Sequence, residues 1–289
     1  MKRTLLLAAC AAAAAVTASA APKPKAAAAT PAAPAAPGLS DWRTPDPNNV
    51  LVIDTNKGRI IVEMLPEVAP QTVAQVRALA HENFYDGLRF FRVIDKFMDQ
   101  TGDPQNNGQG GSSKPDIPAE FTFRRGSDTP FVMAADQTVA EIGFIKSLPV
   151  ESQSMMLAAM TKDQKVTGWG LFCQGVMGMA RDDNPDSANS QFFLMRYPYP
   201  SLERKYTAWG RVISGLDVVR GIKTGEPVED PQDRMERVRV LADLPQKDRP
   251  AVRVIDPQGP WFKAEIARVR AAKGADFTAC DVDIPAEVK

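Results

Sequence analysis

The feature that most constrains the fold is a succession of short apolar runs, each broken by a turn signal, with few helical patterns between them. Residues 50–55 and 59–64 are two such runs, and Asn56-Lys57-Gly58 between them reads as a hairpin turn, with Gly58 supplying a positive φ. Residues 90–94, 176–180, 190–195, 206–212 and 237–241 continue the pattern. Only two helices interrupt it. Pro70 starts the first from the N1 position, and Val73, Val76, Ala80 and Phe84 recur at helical spacing. Residues 215–222 form a short second one. Sequential short strands separated by turns predict a mostly β protein, an antiparallel barrel capped at its ends by the two helices.

Two segments depart from this regularity. Residues 130–172 hold scattered apolar side chains (Ile142, Phe144, Ile145, Leu148) and are expected to be partly helical, with a helix around 152–160. The tail, 244–289, predicts a strand-helix-strand extension packed on the same domain. Its helix follows Pro260, carries Phe262, Ile266 and Val269, and ends at Gly274; its strands fall at 251–255 and 277–282.

The beginning of the chain reads as an export signal. Lys2 and Arg3 precede an apolar run from Leu5 to Val16, and Ala18-Ser19-Ala20 is a cleavage signal, so residues 1–20 are expected to be removed. The run is too short for a permanent span. Leu7-Ala8-Ala9-Cys10 resembles a bacterial lipobox, and lipidation at Cys10 is the lesser alternative. Residues 21–48, rich in Ala and Pro, predict a flexible linker. The expected location is periplasmic. After cleavage Cys173 and Cys280 remain; one bridge and two buried thiols are both open.

Basic and acidic residues balance at 35 each, which argues against a nucleic-acid partner. The one histidine, His81, lies in the first expected helix, and no Cys/His cluster has metal-ligand spacing. A hydrolase would have to use His81 with a serine. No Walker loop or dinucleotide glycine pattern occurs, so neither cofactor nor metal is expected.

What remains is an arginine inside an apolar strand. Phe90, Arg92 and Ile94 share one face of it, Phe91 and Val93 the other. Both faces are apolar, so the strand is expected to be covered on both sides and Arg92 to sit in dry surroundings. Taken alone, an arginine there packs its stem and extends its head to water. In 190–195, the same alternation puts Gln191, Phe193 and Met195 together, as Gln100 lies beside Phe97 and Met98. Two amides and an arginine beside aromatic side chains suggest a polar-rimmed apolar pocket.

Those stretches resemble the cyclophilin family of peptidyl-prolyl cis-trans isomerases. The likeness is carried in order by Phe90-Phe91-Arg92-Val93-Ile94, Phe97-Met98-Asp99-Gln100-Thr101-Gly102-Asp103-Pro104 and Gly108-Gln109-Gly110-Gly111. It continues through Met179-Ala180-Arg181, Ser190-Gln191-Phe192-Phe193 and Trp209-Gly210-Arg211-Val212, and covers about residues 49–243. The resemblance implies a closed eight-stranded barrel and isomerisation of X–Pro bonds. It implies that Arg92 is catalytic, that Phe97, Met98, Phe193 and Leu202 wall a proline pocket, and that Gln100 and Gln191 hold the substrate backbone. Ala180 and Arg181 match the edge along which the peptide lies, and Tyr206 stands where many members have His. Ser201 replaces a rim aromatic. The expected partners are proline-containing segments of unfolded or partly folded exported proteins, met by a monomer without a stable membrane span. A non-enzymatic chaperone or peptide-binding scaffold on the same fold is the alternative. It draws on the methionines of the insertion (Met133, Met155, Met156, Met160).

Overall fold

The computed structural model describes residues 34–137 and 139–289; the expected leader, its cleavage site and Cys10 lie outside the described residues. The chain opens with strand β1 (Trp42–Arg43), then β2 (Val50–Thr55), β3 (Gly58–Met64) and helix α1 (Pro70–His81). Next come β4 (Arg92–Ile94) and β5 (Met98–Thr101). Strand β6 (Phe123–Arg125) precedes the insertion, which supplies β7 (Phe131–Asp136), β8 (Ala140–Ile145), β9 (Leu148–Gln153) and β10 (Val166–Gly170). Strands β11 (Val176–Met179), β12 (Phe192–Met195) and β13 (Ala208–Ser214), helix α2 (Leu216–Gly221) and strand β14 (Met235–Val240) complete the central part. The tail forms β15 (Val252–Ile255), α3 (Pro260–Lys273) and β16 (Ala286–Val288).

Eight strands make one antiparallel sheet in the order β14-β2-β3-β13-β11-β12-β5-β4. At the β2–β3 turn Gly58 has φ +136° and its carbonyl accepts from the Thr55 hydroxyl at 2.8 Å. The closed barrel expected from the sequence is not formed: β4 and β14 share no ladder, and the sheet is an open half-barrel. Segment 222–235 spans the gap by isolated bonds instead. Val93 and Gly225 exchange two at 2.8 Å, and Val228 N–H donates to the Phe91 carbonyl at 2.9 Å. Pro227 and Pro231 interrupt this segment and have no N–H to give, so a continuous ladder cannot form.

The insertion is mostly β, and its helical part is short. With β6 it folds as a second antiparallel sheet, β6-β10-β9-β8-β7, and a 3-10 turn, Met155–Met160, occupies the expected helix. Every residue of β8 is buried, so its sequence shows no alternation and cannot declare a strand. Lys146, with φ +51°, makes the tight β8–β9 turn. Met133, Met156 and Met160 of this segment are exposed.

The tail's first strand and helix lie where the sequence puts them, but 277–282 contains a 3-10 turn, Ala279–Asp281, and the last strand is β16. Strand β15 lies between β16 and β1 in a third sheet, so residues 42–43 belong to the folded body and not to the expected linker. Arg43 also forks onto buried Glu63 of β3 at 2.5 and 2.7 Å. Cys173 and Cys280 are joined as a disulfide.

These additions explain the unbroken apolar runs of the main sheet. Phe192 and Leu194 of β12 pack into one core with α1, while Phe193 and Met195 pack into the other with the insertion and the tail. Phe144 of β8 meets Phe262 of α3 edge to face at 5.1 Å. Among the described residues no helix is long and apolar enough to cross a membrane.

Candidate active site

Register assembles the site. In the β4–β5 ladder Arg92 faces Gln100, in β5–β12 Gln100 faces Phe193, and in β12–β11 Phe193 faces Gly178. Residues directly opposite across strands share a face, so the three side chains form one row and Gly178 leaves room at its end. A Cβ on Gly178 would overlap the Phe193 ring, so the row fixes a glycine where the aromatic lies flat.

The row lines a small pocket of about 100 Å³. Arg92, Phe97, Met98, Gln100 and Phe193 supply one side; Ala180, Arg181, Leu202 and Tyr206 supply the rest. Nine of the ten residues singled out in the sequence thus meet around one cavity. Gln191 is the exception. It lines a larger adjoining cleft of about 510 Å³ that shares Gln100, Ala180 and Arg181 with the pocket.

The polar side chains form one directed chain. Gln191 Nε2 donates to the carbonyls of Gly108 and Gly110 at 3.1 and 2.8 Å, and its Oε1 accepts from Gln100 Nε2 at 2.9 Å. Gln100 Oε1 accepts from Arg92 Nη1 at 3.2 Å, and Arg92 Nε donates to Glu226 Oε1 at 2.6 Å. The sequence reading missed Glu226, because 134 positions separate it from Arg92. Arg92 is also less dry than expected: its side chain is 37% exposed, on the open face of β4, while Val93 on the other face is buried. Nη2 of Arg92 makes no hydrogen bond among the described residues.

The Gly-rich loop is built around Asp103. Its carboxylate accepts from the backbone of Gln105, Asn107 and Gly108 at 2.7 to 2.9 Å. Burial opposes the charge, yet these N–H groups and that of Gly110 outweigh it and hold the carboxyl below its ordinary range. The carbonyls that anchor Gln191 are therefore set by Asp103.

Aromatic side chains complete the rim. Tyr206 meets Phe193 edge to face at 5.9 Å, and the Arg181 guanidinium lies over Tyr206 at 4.6 Å and over Phe121 at 5.4 Å. Phe121 follows Glu120, whose carboxylate caps the start of α1 through Gln71 and Thr72 N–H at 2.9 and 2.8 Å. Half-exposed Tyr199 packs against Phe97 with ring centroids 4.5 Å apart. His81 is remote from this cluster and bonds Asp243 through Nδ1 at 2.5 Å.

A wall of Phe, Met and Leu beside an arginine accepts a small apolar ring and presents a donor to a polar atom on it. Burying three methylenes there is favourable by on the order of 2 kcal/mol.

Comparison with known proteins gives a consistent result. The family model for cyclophilin type peptidyl-prolyl cis-trans isomerase/CLD matches residues 50–242. A Brucella suis protein named probable peptidyl-prolyl cis-trans isomerase is 35% identical over 196 residues, which cover 64% of this chain and 76% of that protein. A Schizosaccharomyces pombe peptidyl-prolyl cis-trans isomerase is 29% identical over 192 residues, covering 66% of this chain and 96% of its own. The crystal structure of cyclophilin AquaCyp293 from Hirschia baltica is similar with a TM-score of 0.79 and 36% identity, covering 86% of this chain and 93% of that one. That coverage exceeds the span of the family match, so the likeness takes in part of the added segments.

Proposed function

We propose, for a chain that belongs to the cyclophilin-type peptidyl-prolyl cis-trans isomerase family, that it isomerises X–Pro bonds in unfolded or partly folded exported proteins, with Arg92 stabilising the twisted prolyl amide. The observation that carries the mechanism is the cross-strand row of Arg92, Gln100 and Phe193 lining a pocket the size of a proline ring.

Amide resonance holds the X–Pro bond planar behind a barrier of roughly 18–20 kcal/mol, so the uncatalysed change takes about 10–100 s. Midway, the bond is twisted and the prolyl nitrogen becomes pyramidal and basic. A donor aimed at that nitrogen binds the twisted state better than either planar one, and this difference is catalysis. A guanidinium donates this hydrogen bond without giving up its proton, so no proton transfer is needed. Phe97, Met98, Phe193 and Leu202 grip the ring while the preceding carbonyl turns. Gln100 and the edge at Ala180 hold the peptide backbone.

Arg92→Ala is expected to lower kcat/KM about a hundredfold or more on a proline tetrapeptide while the domain stays folded. An unchanged rate in a folded variant would remove the mechanism.

Export is supported by the leader-like start and by the Cys173–Cys280 bridge, which persists in an oxidising compartment. N-terminal sequencing of the secreted protein is expected to begin after Ala20; retention of the full-length chain in the cytosol would oppose this.

A further inference from the structure

Glu226 lies opposite the arginine by construction. The two bonds exchanged by Val93 and Gly225, which help bridge the open edge of the sheet, set the residue after Arg92 against the residue before Glu226. The segment carrying Glu226 is tied at further points. Val228 N–H donates to the Phe91 carbonyl at 2.9 Å, and Lys223 N–H donates to Asp233 Oδ2 at 2.8 Å. Asp233 Oδ1 in turn accepts from Asn56 at 2.6 Å. Glu226 is therefore presented from a braced backbone, although its side chain is 56% exposed.

An ion pair this exposed contributes little to stability. Its effect falls on the geometry of the arginine. A guanidinium is a planar fork on a long flexible stem, and a donor aimed at one atom needs that plane fixed. One acceptor leaves the plane free to swing about a single bond. Two acceptors on different nitrogens fix it: Glu226 Oε1 holds Nε at 2.6 Å and Gln100 Oε1 holds Nη1 at 3.2 Å. Nη2 is the nitrogen left for a ligand. The chain of bonds then runs on through Gln100 and Gln191 to the Gly108 and Gly110 carbonyls, so both ends of it rest on backbone-anchored segments.

We propose that Glu226 is a positioning residue for the isomerisation, fixing the plane of the Arg92 guanidinium from the side opposite Gln100. It touches neither the prolyl ring nor the turning amide; it acts through Arg92. This rests on the mechanism proposed above.

The role separates from a surface ion pair by the parameter that moves. The proline pocket is unchanged when Glu226 is altered, so ground-state binding stays and the twisted state loses its aligned donor. Glu226→Ala is expected to lower kcat about tenfold with KM within about twofold of wild type and the melting temperature nearly unchanged. Glu226→Gln keeps an acceptor oxygen for Nε and is expected to restore most of the rate. In an Arg92→Ala background, Glu226→Ala is expected to add nothing, since the group it orients is gone.

The experiment is steady-state isomerisation of a proline tetrapeptide by the full-length mature protein in these four variants beside wild type, with thermal unfolding of each. A folded Glu226→Ala enzyme with wild-type or raised kcat, beside an inactive Arg92→Ala, would overturn the positioning role alone. So would equal losses in Glu226→Ala and Glu226→Gln. A fully active Arg92→Ala would remove the mechanism and this inference with it.

Discussion

Glu203 follows Leu202 of the pocket wall and lies within electrostatic reach of Glu151 of β9. Burial, and then the Glu151 charge, push its carboxyl up to about 7 from an ordinary value near 4.5. Between these values the native state holds a proton that the unfolded chain has lost, so the folded form is stabilised at the acid end and stability falls as pH rises through the window. Glu203→Gln is expected to raise stability by about 1 kcal/mol at pH 8, discounted for its partial exposure, and to do little near pH 4. Melting curves at the two pH values check this; an equal shift at both would show that the carboxyl's charge is not involved. At this scale the sequence was most informative where a side chain belongs to a short dense motif. Arg92, Gln100 and Phe193 were recognisable that way. The dryness expected around Arg92 was not found, because apolar neighbours in a strand say nothing about whether its outer face is covered. Glu226 and Tyr199 left no local signal, since each acquires its meaning from a partner that only the fold brings near.

The elements succeed or fail by what covers them. Strands β2 and β3 announced themselves by a turn with the right glycine and by β-branched runs. Strand β8 did not, because burial on both faces removes the alternation that separates strand from helix. The open edge between β4 and β14 was also illegible: the prolines that forbid a ladder there are visible, but the sequence does not say which strand they face. Within the site, β11 carries the most sensitive position. Gly178 lies against the Phe193 ring, and Phe172 closes in from the same side. Gly178→Ala is expected to push Phe193 from its place in the pocket wall. It should cost about 1–3 kcal/mol of stability through overpacking and raise KM for proline peptides severalfold with a smaller change in kcat. Unaltered KM in the folded variant would mean that the ring does not take part in gripping the substrate.

At the scale of the whole molecule, the short N-terminal strand, the insertion and the tail converge on one face of the eight-stranded sheet. The disulfide crosses between them: Cys173 lies just before β11, and Cys280 in the turn between α3 and β16. Two cysteines permitted a bridge but did not require one, and no spacing along the sequence favours it, because the bond closes a separation of 107 residues. That length gives the bridge its leverage. Closing a loop of about 100 residues in the unfolded chain is worth up to about 4.7 kcal/mol at 25 °C on the chain-entropy account. Residual structure in the unfolded chain reduces that figure, and the tail stays docked when the bond is cut, since Phe144, Phe262 and the shared core still hold it. Cys173→Ser is therefore expected to lower the stability measured by denaturant titration by about 2–4 kcal/mol. Isomerase activity should persist in the absence of denaturant, because Arg92, Gln100 and Phe193 are positioned by the ladders of the main sheet and not by the tail. Reduction of the wild-type protein should reproduce the shift, and Cys280→Ser should give the same shift without adding to Cys173→Ser. An unmoved denaturation midpoint would mean that the tail is held by packing alone. Loss of activity in the folded variant would mean instead that the converging segments support the pocket, and that the site extends beyond the eight strands.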